Sequence, residues 1–162
     1  VKMIKYAHII TDSIVDGTGI RVVVFLQGCK WNCKGCHNPH LFSMEDGIEI
    51  DETKFAKKIL KELNPMHSGI TFSGGDPLFL GNRKEVGQLI QEIHTIFPSK
   101  NIWLYTGYTW DDIKNEWFIP YIDVIVDGKY IEELSDNQLH WKGSSNQRII
   151  SVQRNQLQLK QS

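Results

Sequence analysis

The chain has 162 residues, 41% of them apolar and 23% charged, with a net charge of −1. That fits one globular domain with a core of useful size, expected over residues 1–153 with a mobile tail at 154–162. A near-neutral balance gives no bulk attraction to nucleic acid or membrane, and no apolar run approaches the roughly 18 residues of a membrane span.

The opening "VKMIKYAHII" does not read as the long apolar core and small-residue cleavage site of a secretory signal. "RVVVFLQ" (21–27) is β-branched and almost wholly apolar, the pattern of a strand buried on both faces. "GCKWNCKGCHNP" (28–39) follows directly and holds every cysteine of the chain: Cys29, Cys33 and Cys36. "DETKFAKKILKEL" (51–63) spaces Phe55, Ile59 and Leu63 as an amphipathic helix. "GITFS" (69–73) is the next strand, and "GGDP" follows it. "RKEVGQLIQEIHTIF" (83–97) repeats the helical spacing, and Pro98 stops it. "NIWLY" (101–105) and "DVIV" (123–126) are further strands, separated by a helix start with Thr109 and Asp112 at capping-box spacing. "QRIISVQ" (147–153) alternates enough to add one more strand.

Strands alternating with helices predict an α/β fold with a mostly parallel sheet. Too few strands are present for a closed eight-fold barrel, so the sheet is expected to stay open or form a partial barrel. Ligands then gather at the carboxyl ends of the strands, where the cysteine loop, "SGGDP" (73–77) and "DGKY" (127–130) lie.

Clustered thiols without a secretory signal point to a reducing compartment, and the cytoplasm is the expected location. Four thiolates usually hold an iron–sulfur cluster. Three leave one iron with an open position, as catalytic zinc sites keep one open. Two alternatives stand beside that reading. One is a structural Cys₃His zinc site completed by His37 or, with looser geometry, His40, in a non-catalytic interaction module. The other is redox chemistry by the Cys33–Cys36 pair. His8, His67, His94 and His140 read as surface or packing residues.

The spacing C-x₃-C-x₂-C resembles the cluster loop of the radical S-adenosylmethionine enzymes, with one departure: Gly35 stands where many members carry an aromatic residue. "SIVDGTGIRVVVFLQGCKWNCKGCHNP" (13–39) is similar to the N-terminal signature of the glycyl-radical-enzyme activases. "SGGDP", "YTGY" (105–108), "VDGKY" (126–130) and "WKGSSNQ" (141–147) follow in the order seen in activases of an anaerobic ribonucleotide reductase.

The resemblance implies an open β/α barrel in which Cys29, Cys33 and Cys36 hold a [4Fe–4S] cluster whose fourth iron takes S-adenosylmethionine. It implies that Gly74, Gly75, Asp76 and Pro77 meet the amino end of that cofactor, with Asp76 as a charged partner. It places Asp127 and Lys129 near the cofactor's ribose and carboxylate. Asp16 and Arg21 would pair with each other or meet the protein substrate, and His37 and Asn38 would contact the cluster. A one-electron donor such as a flavodoxin would reduce the cluster. Cleavage of the sulfonium would then give methionine and a 5′-deoxyadenosyl radical, which takes hydrogen from a glycine Cα of the reductase large subunit. Activity would require the absence of oxygen. An activase of another glycyl-radical enzyme is the near alternative.

Overall fold

A computed structural model describes residues 2–31, 33–36 and 39–152. Among these, the chain forms a seven-stranded sheet: β1 (Met3–Ser13), β2 (Arg21–Leu26), β3 (Ile48–Asp51), β4 (Gly69–Gly74), β5 (Asn101–Tyr105), β6 (Val124–Asp127) and β7 (Arg148–Ser151). The spatial order is β3-β1-β2-β4-β5-β6-β7. The four central strands β2, β4, β5 and β6 run parallel, while β1, β3 and β7 pair antiparallel at the flanks. The expected open, mostly parallel architecture is therefore the one observed, with antiparallel edges added. The residues expected to form a tail, 154–162, lie outside the described residues.

Two helices cover one face. α1 (Glu52–Glu62) begins where the Asp51 side chain accepts from the Lys54 N–H, satisfying one of the orphan amides of the first turn. α2 (Arg83–Ile96) ends just before Phe97–Pro98. Their buried stripes, Phe55 and Ile59 on α1 and Val86, Ile90 and Ile93 on α2, meet Val24, Leu26, Ile70, Phe72, Ile102, Leu104 and Ile125 of the sheet. Each such side chain contributes about 1.5–3 kcal/mol on burial. The short α3 (Trp110–Ile113) starts at Thr109 with the expected capping box to Asp112.

The alternate residues of the strands form the other face, which carries no α-helix among the described residues. Val23 and Phe25 pack there with Leu41, and register places Val23 beside Thr71 and Thr71 beside Trp103. The segment 14–20 folds back over this face, where the Asp16 carbonyl accepts from the Thr71 hydroxyl at 2.6 Å. β1 and β3 are the elements the sequence reading missed. Only Ile4, Tyr6 and Ser13 of β1 are buried, so its pattern resembles no uniform strand.

Candidate metal centre

The carboxyl ends of β2, β4, β5 and β6 open into a cavity of about 350 Å³ on the helix-free side. Every motif picked out in the sequence sends residues to it: Asp16, the three cysteines, Gly74 with Gly75, Thr106 with Gly107, Lys129, and Gln147. The convergence expected from topology alone is what the chain builds.

The cysteine loop leaves β2 at Gly28 and is held at both ends. Gly28 N–H donates to the Leu41 carbonyl (2.7 Å) and Cys29 N–H to that of Phe42 (3.1 Å). The buried Gln27 amide donates to the carbonyls of His40 (3.0 Å) and Ser43 (2.7 Å), and Asn82 in turn donates to the Gln27 carbonyl (2.9 Å). Within the loop, Cys36 N–H donates to the Cys33 carbonyl at 3.2 Å. All three cysteines are thiols. Burial pushes the Cys33 thiol up, Cys36 adds to that, and the Lys129 ammonium pulls it back.

Among the described residues, no group of three or more His, Cys, Asp or Glu side chains stands in the geometry of a metal-ion site. His40, on the 3₁₀ turn Pro39–Leu41, is not among the cavity's lining residues. Three soft donors thus face a shared space with room for a multi-atom group, and this donor set fits a thiolate-held cluster.

Gly74 and Gly75 line the cavity, but their lack of a side chain answers first to the chain itself. A Cβ on Gly74 (φ +112°) would lie 2.4 Å from the Leu26 N and O, and one on Gly75 would lie 2.4 Å from the Gly28 O. The turn is laced to the root of the cysteine loop by Gly75 N–H to Leu26 O (3.0 Å) and Asp76 N–H to Gly28 O (2.8 Å).

Asp76 is corrected. Its carboxylate is 1% exposed and turned inward. It accepts from Trp31 Nε1–H (2.7 Å), Gly107 N–H (2.9 Å), Leu78 N–H (2.9 Å) and the Thr106 hydroxyl (2.9 and 3.1 Å). Burial pushes its pKa up, against the pull of those donors. A carboxylate so enclosed is not presented to a ligand's ammonium. Pro77 is likewise buried and is not among the lining residues.

Asp127 is also inward and occupied. Arg148 grips it with Nη2 at 2.5 Å and Nε at 3.1 Å, and the Trp110 N–H donates to it at 2.8 Å. It therefore ties β6 to β7 and to the start of α3. Lys129 does line the cavity. The "WKGSSNQ" motif clamps the loop that carries it: Gln147 Nε2 donates to the Gly128 carbonyl (2.9 Å) and Asn146 Nδ2 to that of Lys129 (2.9 Å).

Arg21 and Asp16 do not pair. Arg21 is wholly buried under the 14–20 segment, donating to Thr71 Oγ1 (2.7 Å) and to the carbonyls of Thr18 (3.0 Å), Ile70 (3.0 Å) and Asn101 (3.1 Å). Burial brings its pKa down to about 10, still a cation at neutral pH. A residue with no exposed surface cannot meet a protein partner, so Arg21 anchors the loop instead. Asp16 takes a hydrogen bond from Ser13 Oγ at 2.9 Å and reaches the cavity wall. His37 and Asn38 lie outside the described residues. The remaining histidines pack: His67 is buried with Nε2 2.9 Å from Asp12 Oδ1, His8 stacks on Phe25, and His94 and His140 lie against Tyr121 and Trp141.

Trp31, Thr106 and Arg148 are the site residues the sequence reading passed over. Trp31 sits between two cysteines and Thr106 inside "YTGY", so position was the available signal; Arg148 carried none.

The family model of a 4Fe-4S single cluster domain matches residues 15–150, which places the chain in the class of proteins built around one such cluster. The anaerobic ribonucleoside-triphosphate reductase-activating protein of Enterobacteria phage T4 is 39% identical over 148 residues, spanning 91% of this chain and 94% of that protein. Its namesake in Vibrio cholerae is 41% identical over 140 residues, spanning 84% and 90%. The chain belongs to this family of reductase-activating proteins. A solved queuine lyase from Clostridium spiroforme, bound to SAM and queuine, aligns with 77% of this chain and 51% of that one at 21% identity and a TM-score of 0.44. That likeness is too distant to bear on function.

Proposed function

We propose that the chain is an iron–sulfur activase that reductively cleaves S-adenosylmethionine and installs a glycyl radical on an anaerobic ribonucleotide reductase. The observation that carries this reading is the single cavity shared by Cys29, Cys33, Cys36 and every other family-like motif. When bound, the cluster supplies one electron and a vacant iron position for the cofactor. The balance is one electron, one S-adenosylmethionine and one glycine C–H consumed; methionine, 5′-deoxyadenosine and a glycyl radical formed.

The protein's own residues bind and orient. Cys29, Cys33 and Cys36 would hold the cluster. The backbone of Gly74 and Gly75 fronts the cavity with polar groups, and Lys129 offers it a cation. No side-chain acid or base is needed for hydrogen-atom transfer, which agrees with the carboxylates Asp76 and Asp127 being turned inward. A flavodoxin-type protein would deliver the electron, and a reducing cytoplasm suits half-buried thiols that line a cavity. Among the described residues, no helix is long and apolar enough to cross a membrane.

The test is anaerobic reconstitution with iron and sulfide, followed by incubation with S-adenosylmethionine, a reductant and the reductase. A doublet electron-spin signal on the reductase, with methionine released, is expected. A colourless chain with stoichiometric zinc would overturn the proposal. A glycyl radical appearing only on some other glycyl-radical enzyme would reassign the partner.

A further inference from the structure

Asp76 gathers donors from three separate loops. Trp31 comes from the cysteine loop after β2, Leu78 from the turn after β4, and Thr106 and Gly107 from the segment after β5. With four donors the carboxylate's hydrogen-bonding capacity is essentially filled. Bonds to an ionised, buried acceptor are the strong kind, and removing one partner leaves the others around a costly gap.

Trp31 is shaped to this role. It stands two residues from both Cys29 and Cys33. Its indole lies so close to Gly107 that a Cβ there would fall 2.3 Å from Nε1. Its ring meets Tyr108 edge-on at 5.0 Å, and the Lys30 ammonium lies 4.3 Å from its centroid. The indole is thus slotted between the loops after β2 and β5, with its N–H aimed at the carboxylate.

We propose that Asp76 is a positioning residue: through Trp31 it latches the cysteine loop to the turns after β4 and β5. The latch sets the thiols against the glycine turn before any metal or cofactor binds. What the latch serves rests on the activase reading above; that the latch exists does not.

The test is hydrogen–deuterium exchange on the full chain, purified anaerobically, comparing wild type with Trp31→Phe, Asp76→Asn and the double variant. Trp31→Phe keeps an aromatic ring but removes the N–H donor and part of the indole's bulk against Gly107, and Asp76→Asn leaves that packing in place. Each single variant should speed exchange across residues 28–36 and 106–108 about tenfold through local opening, with the α1 and α2 amides unchanged. The double variant should add nothing further, because one latch has been opened twice.

On the reconstituted chain, the variants should lose iron to a chelator about tenfold faster, the effect typical of disturbing a group behind a metal ligand. Should Asp76→Asn fail to fold, Trp31→Phe and Thr106→Val decide. Unchanged exchange in the cysteine loop, or effects that simply add, would overturn the proposal. So would Asp76→Asn weakening S-adenosylmethionine binding while the loop stays protected, since the carboxylate would then be meeting the cofactor itself. A wild-type chain that takes up no cluster would sink the activase reading and leave the exchange comparison to judge the latch.

Discussion

Gly75→Ala separates two reasons a glycine can be required. The Gly75 backbone is not in the left-handed region, so alanine meets no conformational penalty there. The obstacle is space: the new Cβ would lie 2.4 Å from the Gly28 O and 2.6 Å from the Leu41 O, where ordinary contact begins at 3.4 Å. Relief needs about 1 Å of movement in backbone at the root or exit of the cysteine loop. The bonds at stake are Asp76 N–H to Gly28 O and Gly28 N–H to Leu41 O. Losing both costs about 2 kcal/mol. Overpacking adds about 1–3 kcal/mol, for a total of about 3–5 kcal/mol.

Gly128→Ala is the control. Its φ is +90°, yet the nearest atoms to a Cβ, Asn146 Nδ2 and Gln147 Cα, are 3.8 Å away. Only backbone strain applies, about 1–2 kcal/mol. Urea midpoints of the cluster-free chain should fall much further for Gly75→Ala than for Gly128→Ala. Iron bound after anaerobic reconstitution should be lost in the first and kept in the second. The reverse ranking, or an unmoved midpoint in Gly75→Ala, would refute the claim that the turn is built against the cysteine loop.

Single Cys29→Ala, Cys33→Ala or Cys36→Ala should abolish cofactor cleavage rather than slow it, because the cluster loses an anchor; methionine release at the wild-type rate would exclude that residue as a ligand. Arg21→Met should destabilise the fold by about 3–5 kcal/mol, since it strips the donors from Thr71 and three carbonyls in the interior, and thermal or urea unfolding checks it. Glu52, buried and beside Glu92, has its pKa raised to about 7 by burial first and by that neighbour second. The folded state therefore binds more protons than the unfolded one between about pH 4.5 and 7, and stability falls as pH rises through that window. Glu52→Gln should remove the fall, gaining about 1–2 kcal/mol over wild type at pH 8 and little at pH 4; parallel stability curves across that range would refute the assignment.

The central strands were legible because Arg21–Leu26 and Gly69–Gly74 lie in the middle of the sheet, where Val22–Leu26 form an unbroken apolar run and the first four residues of β4 are buried. Two of the three flanking strands were not, whereas the alternation of "QRIISVQ" (147–153) did announce β7. β1 changes register twice along its pairing with β2, and β3 spans four residues with none buried. The three thiols and the glycine turn were legible as a site, since a short spacing and a close approach are properties of the chain's own sequence. The direction of a carboxylate is not such a property. Asp76 and Asp127 were singled out, but apart from Leu78 their donors come from Trp31, Thr106, Gly107, Trp110 and Arg148, distant in sequence, and those donors help decide which way each side chain faces.

The antiparallel flanks also explain why a cavity exists on a sheet face that carries no α-helix among the described residues. Four parallel strands alone would leave that face bare. The connection from β1 to β2 lies across it instead, pinned by Arg21 to Thr18 and by Thr71 to Asp16, with Gly17 packed against Arg21 and Trp103. On the far side, the segment before β7 lays Trp141 edge-on to Trp103 at 5.9 Å and delivers Gln147 to the Gly128 carbonyl. β7 then brings Arg148 to Asp127. Each flank thus ends an edge of the parallel core and supplies one wall of the cavity. The wall residues stay in place because their anchors, Arg21 and Asp127, are buried; Arg21 is held by interior acceptors and Asp127 by the Trp110 N–H and the surface residue Arg148. Loosening either anchor should widen the cavity without touching a thiol, so metal uptake and cofactor binding become separable properties of this chain.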